Sequence, residues 1–408
     1  MKKKSICTVI IGIFLTSALT GCIDNTEKER KDLDDYQTII DMAGREVWIP
    51  RNISRVIDIS DGFTTSIMYH LGVQDKLVGL GSRNLHYIDR YDYTTTSGEN
   101  YSYENGMNPV TYLYPPLKDL PAVGQYGVAI NYETVASLNP DIVIVRVGYC
   151  SLNTDEYGEE QDITRAIDTL ESLDIPIVIL YGPPALTNPT MDNVSTEIQI
   201  IGQIFNQRNQ SRILAEYLES IVEMIKSRTI TITKEEKPRV LLFGLSPNAR
   251  ETGGAGDVLC LDTMESYFIE EIVNAKNAYQ DTGGWKILST EQILALNPDV
   301  IILPTDWGYH PPRELYEAPY YKNLQELDAI KNQRVWALPY TPYNCAKRVE
   351  YPIELMVIAK ASYPDLFEDI IFHEWVLDFY QKVYHVDGET AKDLRSIQWL
   401  DWTIEEDT

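Results

Sequence analysis

Cysteine, histidine and positive charge are all scarce in this chain. Its 408 residues include 5 cysteines and 5 histidines, and 35 lysines and arginines stand against 61 aspartates and glutamates, a formal charge of −26. A surface this acidic repels polyphosphate, which argues against nucleic-acid binding. Cys7 and Cys22 lie in the first 22 residues, leaving Cys150, Cys260 and Cys345. An odd, scattered trio is no disulfide framework and no two of them have zinc-site spacing; one pair could bridge, but buried structural cysteines are the expectation. Catalytic signatures are missing too. The segment Gly79-Leu80-Gly81-Ser82-Arg83-Asn84 lacks the third glycine of a dinucleotide fingerprint, and Gly253-Gly254-Ala255-Gly256 lacks the Gly-Lys-Ser/Thr end of a phosphate loop. There is no Gly-x-Ser-x-Gly elbow and no His-Glu-x-x-His.

What is present starts with an address. Lys2, Lys3 and Lys4 precede an apolar run from Ile6 to Leu19 that meets Leu19-Thr20-Gly21-Cys22. This is the order of a secretory signal peptide over residues 1–21, too short for an ordinary membrane span. Its removal takes the formal charge to −29, with 32 basic against 61 acidic side chains. Residues 22–36, rich in alternating charge, are expected to form a flexible tether. The 44% hydrophobic and 24% charged composition of the whole is ordinary for globular protein.

Beyond the tether the pattern is α/β. Asp41 to Pro50 reads as a hairpin, Arg55 to Ile59 and Lys76 to Leu80 as strands around a helix from Gly62 to Leu71. Glu133 to Val145 (ETVASLNPDIVIV) then aligns without gaps on Glu291 to Leu303 (EQILALNPDVIIL), 158 residues further on. In each copy a helix ended by Asn-Pro-Asp leads into a β-branched strand. Two copies imply duplicated lobes with mainly parallel, Rossmann-like sheets, residues 37–187 and 229–408. Between them, 188–228 carries apolar residues at helical spacing (Val194, Ile198, Ile201, Phe205, Ile213, Tyr217, Ile221, Ile225) with one break near Arg208. Asn188 and Pro189 suit its start, Lys226 and Arg228 its end. A single long helix there would span roughly 55 Å and join the lobes. From Ser82 to Val123 the pattern dissolves into a tyrosine-rich segment, expected to be a lid or binding-mouth insertion.

Ligands of open parallel sheets bind beyond the carboxyl ends of the strands. That rule selects Ser60, Asp61, Ser82, Arg83, His86, Tyr87, Arg146, Tyr149 and Tyr181 from the first lobe, and Ser246, Trp307, Tyr309, His310, Tyr340 and Tyr343 from the second, with Leu245 and Asp306 beside them. Aromatic faces and arginines suit a large, flat, partly anionic metal chelate. His86 and His310, each beside a tyrosine, could also lend a ligand to an exposed metal. No intrinsic cofactor and no resident metal site is expected.

The lipobox Leu19 to Cys22, DMAGREVWIP followed by Arg55-Val56-Ile57, LGVQDKLVGLG, PPLKDLPAVG, both Leu-Asn-Pro-Asp segments, the helix with Ile201-Gly202, and Arg334-Val335 before the last helices resemble the substrate-binding lipoproteins of ATP-binding-cassette importers for iron–siderophore, haem and cobalamin. The tyrosine-rich insertion departs from that pattern. The resemblance implies two lobes bridged by one long helix, a ligand cleft between them, lipidation at Cys22, and a membrane permease and its ATPase as partners. It further implies a monomer anchored by its lipid at the extracytoplasmic face of the membrane. In such proteins each lobe offers a glutamate to arginines of the permease; the matching positions are Glu133 and Glu291. Both also suit a first helical turn, capped by Asn131 and by Ser289 with Gln292. A two-lobed metal chelatase and a surface sensor or adhesin stand as rival readings.

Overall fold

A computed structural model of the chain describes residues 34–124, 130–148, 160–183, 190–244, 255–304, 311–340 and 348–406. Residues 1–33, with the signal, Cys22 and most of the tether, lie outside the described residues.

β1 (Tyr36–Ile40) and β2 (Glu46–Pro50) form the expected antiparallel hairpin. β3 (Val56–Ile59), α1 (Phe63–His70) and β4 (Leu77–Leu80) follow. The tyrosine-rich segment folds next, into an antiparallel pair, β5 (Asp89–Thr94) and β6 (Asn100–Gly106), with short helical turns on either side. α2 (Tyr132–Ser137), β7 (Ile142–Val147), α3 (Glu160–Glu171) and β8 (Ile177–Tyr181) complete the first lobe. Its sheet has the order β4-β3-β7-β8, all parallel.

The region between the lobes corrects the sequence expectation. It is two helices, α4 (Val194–Ile204) and α5 (Arg208–Thr229), separated by a turn at Asn206, whose φ of 57° is left-handed. They pack antiparallel: Ser195 Oγ donates to Glu219 across the pair, and a side chain on Gly202 would put its Cβ 1.9 Å from Ser211 Oγ. The break in the apolar pattern near Arg208 is this turn. It also shifts the helix phase, so that Leu214, Leu218, Ile221 and Ile225 face inward while Ile213 is 51% exposed. Only α5, about 33 Å long at 1.5 Å per residue, runs on into the second lobe. Asn188 and Pro189 lie outside the described residues.

The second lobe holds β9 (Arg239–Gly244), β10 (Gly256–Leu259), β11 (Lys276–Asn277) and β12 (Trp285–Leu288). Then come α6 (Thr290–Leu296), β13 (Val300–Leu303), α7 (Pro312–Glu317) and β14 (Val335–Ala337). The chain closes with α8 (Tyr351–Ser362), α9 (Phe372–Tyr384) and α10 (Gly388–Ile397) before a last helical turn. The sheet runs β12-β10-β9-β13-β14; β9, β13, β14 and the short β11 are parallel, and β10 is antiparallel to its neighbours.

Alternate residues of each parallel strand face different cores. Val56, Ile142, Ile144, Val178 and Leu180 of the first sheet and Val240, Leu242, Val300 and Ile302 of the second share one continuous core with α1, α4, α5, α8 and α9. The other faces have separate cores, one under α2 and α3, the other under α6 and α7. Helices α4, α5, α8 and α9 are therefore a spine shared by both lobes. α9 returns to the first lobe outright, where His70 Nδ1 lies 2.6 Å from the Val383 carbonyl and Tyr69 meets Tyr384 edge-on.

The repeat is the same device twice. Asn139 and Asn297 both adopt left-handed φ, 43° and 36°, ending α2 and α6. The aspartate two residues on then joins the start of the neighbouring strand: Arg55 N and Arg239 N donate to Asp141 Oδ2 and Asp299 Oδ2, at 2.9 and 2.7 Å. Asparagine tolerates the left-handed cap, proline stops the helix, and the carboxylate fixes register. Among the described residues no helix is long and apolar enough to cross a membrane.

Candidate ligand cleft

The carboxyl end of the first sheet is built of turns packed against one another. β3 exits through Ser60, Asp61 and Gly62; Gly62 has φ +100°, and a Cβ there would lie 3.1–3.2 Å from Asn108, Leu85 and Arg348. Asp61 is the centre of a knot. Its Oδ1 accepts from Ser82 Oγ at 2.8 Å and Asn84 Nδ2 at 2.6 Å, tying β3 to the exit of β4. Its Oδ2 accepts from Arg348 Nη2 at 2.9 Å, and its carbonyl from Arg348 Nε at 2.7 Å. Arg348 comes from the second lobe, three residues before α8, so this pair spans the lobes; the two side chains are 3% and 0% exposed. Burial pushes the Asp61 carboxyl up, with Arg348, Ser82 and Asn84 pulling against it.

A second knot lies beside it. Arg146, on β7, gives Nε and Nη2 to the two oxygens of Glu197 on α4, at 2.7 and 3.0 Å, and its guanidinium sits 3.9 Å from the Phe63 ring centre. This fork is buried on both sides. It is also why residue 182, past β8, is glycine: a Cβ would sit 2.9 Å from Arg146 Nε. Burial raises the Glu197 carboxyl, and Arg146 opposes the rise. Between the knots Asp58 Oδ2 accepts from Ser60 Oγ and Thr65 Oγ1, while Oδ1 is buried with no partner. Burial raises the Asp58 carboxyl to about 6, against those hydrogen bonds and the Arg146 charge.

The geometry sorts the residues selected from sequence. Ser60, Asp61, Ser82 and Arg146 are buried in the knots instead of facing the cleft. Tyr340 is likewise enclosed, its hydroxyl on Asp89 and its ring 4.2 Å from that of Trp399. His86 is held by the Leu117 backbone with Nε2 buried, and burial lowers its pKa, so it is no exposed metal ligand. Arg83 and Tyr181 are exposed and Tyr87 is half-buried, leaving these three at the rim. Tyr149, Ser246, Trp307, Tyr309, His310 and Tyr343, with Leu245 and Asp306, lie outside the described residues. Asp58, Asn84, Glu197 and Arg348 were not selected. Asp58 and Glu197 had a signal, a charge inside an apolar strand and a charge on the apolar stripe of a helix; Arg348 had none.

Glu133 and Glu291 are exposed in the first turns of α2 and α6. Asn131 accepts from Thr134 N, and Ser289 with Gln292 completes a capping box, as the sequence predicts. A helix that leads into a parallel strand runs against it, so both glutamates stand at the carboxyl edges of their sheets, on the faces away from the spine. Capping hydrogen bonds hold the Glu291 carboxyl below its ordinary range.

Among the described residues no three histidine, cysteine, aspartate or glutamate side chains are grouped to hold a metal. Cys260 is buried and free, its thiol pushed up to about 11 by burial; Cys150 and Cys345 lie outside the described residues.

Residues 60–341 match the profile of a periplasmic binding protein family. The chain is 25% identical over 358 residues to the uncharacterized ABC transporter substrate-binding lipoprotein YvrC of Bacillus subtilis, covering 86% of this chain and 95% of that one. It is 24% identical over 370 residues to the molybdate-binding protein MolA of Haemophilus influenzae, covering 85% and 90%. A periplasmic solute-binding protein from Veillonella parvula has the same fold, with a TM-score of 0.69 at 20% identity over 91% of this chain and 100% of that one.

Proposed function

The chain belongs to the periplasmic binding protein family and is a substrate-binding protein of an ABC transporter rather than an enzyme; from that premise we propose that it captures a metal chelate in the cleft between its lobes and delivers it to the permease. Family membership sets aside the chelatase and adhesin readings. One observation carries the choice of ligand. On the described cleft floor Asp61 pairs with Arg348 and Glu197 with Arg146, burial favours the neutral form of Asp58, and what remains at the rim among the described residues is Arg83 with the rings of Tyr87 and Tyr181. A compact oxyanion needs several convergent, uncommitted donors. Aromatic faces beside one cation instead suit a large, partly flat and partly anionic complex, held by stacking and charge-assisted hydrogen bonds.

Delivery is assigned to Glu133 and Glu291. Each occupies the same place in a duplicated module, exposed in a first helical turn at the carboxyl edge of its sheet. Lipidation at Cys22 and a monomeric state complete the proposal: the protein works tethered to the extracytoplasmic membrane surface, beside its permease and ATPase. The ligand is tested by native mass spectrometry with absorbance spectra on protein purified from its own host. The reading expects a one-to-one adduct whose mass and absorbance are those of a metal chelate. Recovery with a bare oxyanion such as molybdate, or with no ligand under metal-replete growth, would count against it.

A further inference from the structure

The tyrosine-rich hairpin belongs to the first lobe by sequence and to the second by packing. It leaves the first sheet after β4, an edge strand, and crosses to the side of β14, an edge strand of the second sheet. There Tyr93 is 5% exposed in the core formed by Leu241, Phe243, Ile301 and Leu303. Tyr91 donates to Glu314 at 2.6 Å, and the Tyr101 ring stacks on Tyr93 and lies 3.9 Å beneath the Arg313 guanidinium. The hairpin turn donates from Thr96 N and Oγ1 to the Glu317 carbonyl at 2.9 and 2.7 Å. At the other end Trp399 Nε1 donates to the Glu104 carbonyl at 2.9 Å, and the indole covers Gly106 so closely that a Cβ there would fall 2.4 Å from it. Asp89, the first residue of the hairpin, takes the Tyr340 hydroxyl, and the Asp61–Arg348 pair lies on the same flank.

We propose that the β5–β6 hairpin is a permanent strap fastening the two lobes along this flank, so that any opening of the cleft is a swing about the strap and takes place on the opposite flank, between the β8 and β12 edges. The physical case rests on what is buried. A mobile lid lies on a surface through polar, reversible contacts, whereas this hairpin supplies a core residue to the other lobe and receives one of that lobe's tryptophans over its own backbone. A lone two-stranded hairpin is marginal in water, so its order depends on that docking. The strap deepens the cleft reading above by fixing the side from which a ligand passes, and its tests need no ligand.

Hydrogen exchange on the full mature protein reads the strap directly. If it is permanent, the paired amides of β5 and β6 exchange within about tenfold of those of β13. Trp399→Phe, which keeps an aromatic ring but removes the indole N–H, should leave the fold intact and speed hairpin exchange at least several-fold without touching β3 or β7. Hairpin amides exchanging about a thousandfold faster than β13 would mark a lid and overturn the proposal; so would a hairpin indifferent to Trp399→Phe. The swing is read by spin-label distances with the native cysteines replaced. A pair on the strap side, at Asp119 before the Leu80–Ala122 bridge and Lys331 before β14, should give one narrow distance, and a pair at Ser172 before β8 and Lys286 in β12 a broader one. The reverse ranking contradicts the proposal. A failure in these tests leaves the chelate reading standing, and a failure to recover a chelate leaves the strap standing.

Discussion

The two lobes share a module and differ in what they do with the strand ends beside it. In both, a capped helix carries a glutamate in its first turn, an asparagine closes it in the left-handed conformation, and an aspartate grips the neighbouring strand. The first lobe then fills its carboxyl end with buried charge, Asp58, Asp61 and Arg146, and takes Glu197 from α4 and Arg348 from the second lobe to balance it. The module is local, its parts within about a dozen residues of each helix end apart from the strand it grips. The floor depends on long-range pairing, between residues 51 and 287 positions apart. Charge at a strand end is therefore a poor guide to ligand contact in this fold: Asp61 and Arg146 fit the positional rule and hold the walls instead.

The largest effect should come from removing the arginine that reaches from the second lobe into the first. Arg348→Ala leaves Asp61 buried and unbalanced, a loss of about 3–5 kcal/mol in chemical denaturation. Arg348→Met with Asp61→Asn should recover much of it, because neither partner is then a stranded charge. Next comes pH. Since the Asp58 carboxyl is raised to about 6 from an ordinary 3.8, its contribution to stability is full below about 3.8 and lost as pH rises through 6. Asp58→Asn should therefore gain on the parent protein between pH 4 and pH 7, by an amount on the order of 3 kcal/mol. A gap that does not change with pH would show that Asp58 is not the titrating group.

Smaller effects compare the two modules. Asp141 accepts from Ser54 N, Ser54 Oγ and Arg55 N, whereas the side chain of Asp299 accepts from Arg239 N. Asp141→Ala should cost about 1–3 kcal/mol and Asp299→Ala about 1 kcal/mol. Smallest are the caps, Asn131→Ala and Ser289→Ala, each about 1 kcal/mol, because each removes the one side-chain oxygen that accepts from the N3 backbone N–H. Equal losses at the aspartates would mean that the modules are energetically alike despite their different bonding.

These asymmetries mark what could be read from sequence. Strands such as Val300–Leu303 and the helix Thr290–Leu296 were legible to the residue, because β-branched runs, caps and Asn-Pro-Asp stops are local signals. The hairpin had a signal that the loop reading passed over, the alternation Tyr91-Asp92-Tyr93 and Tyr101-Ser102-Tyr103 about Ser97-Gly98. The turn at Asn206 was harder, since apolar spacing resumes beyond it in a different phase and looks continuous. Arg348 lay beyond reach. It is 287 residues from Asp61, and nothing near it in sequence distinguishes a buried inter-lobe partner from a surface arginine.

What the lobes kept in common is the part assigned to delivery, and transport measures it most directly. Glu133→Ala, Glu291→Ala and the double variant should be compared in the host, with the cognate permease and ATPase present, for uptake of the chelate identified with the purified protein. The prediction is a several-fold loss of uptake for each single variant and near-complete loss for the double, with ligand affinity unchanged in all three. Full uptake by the double variant would contradict the account.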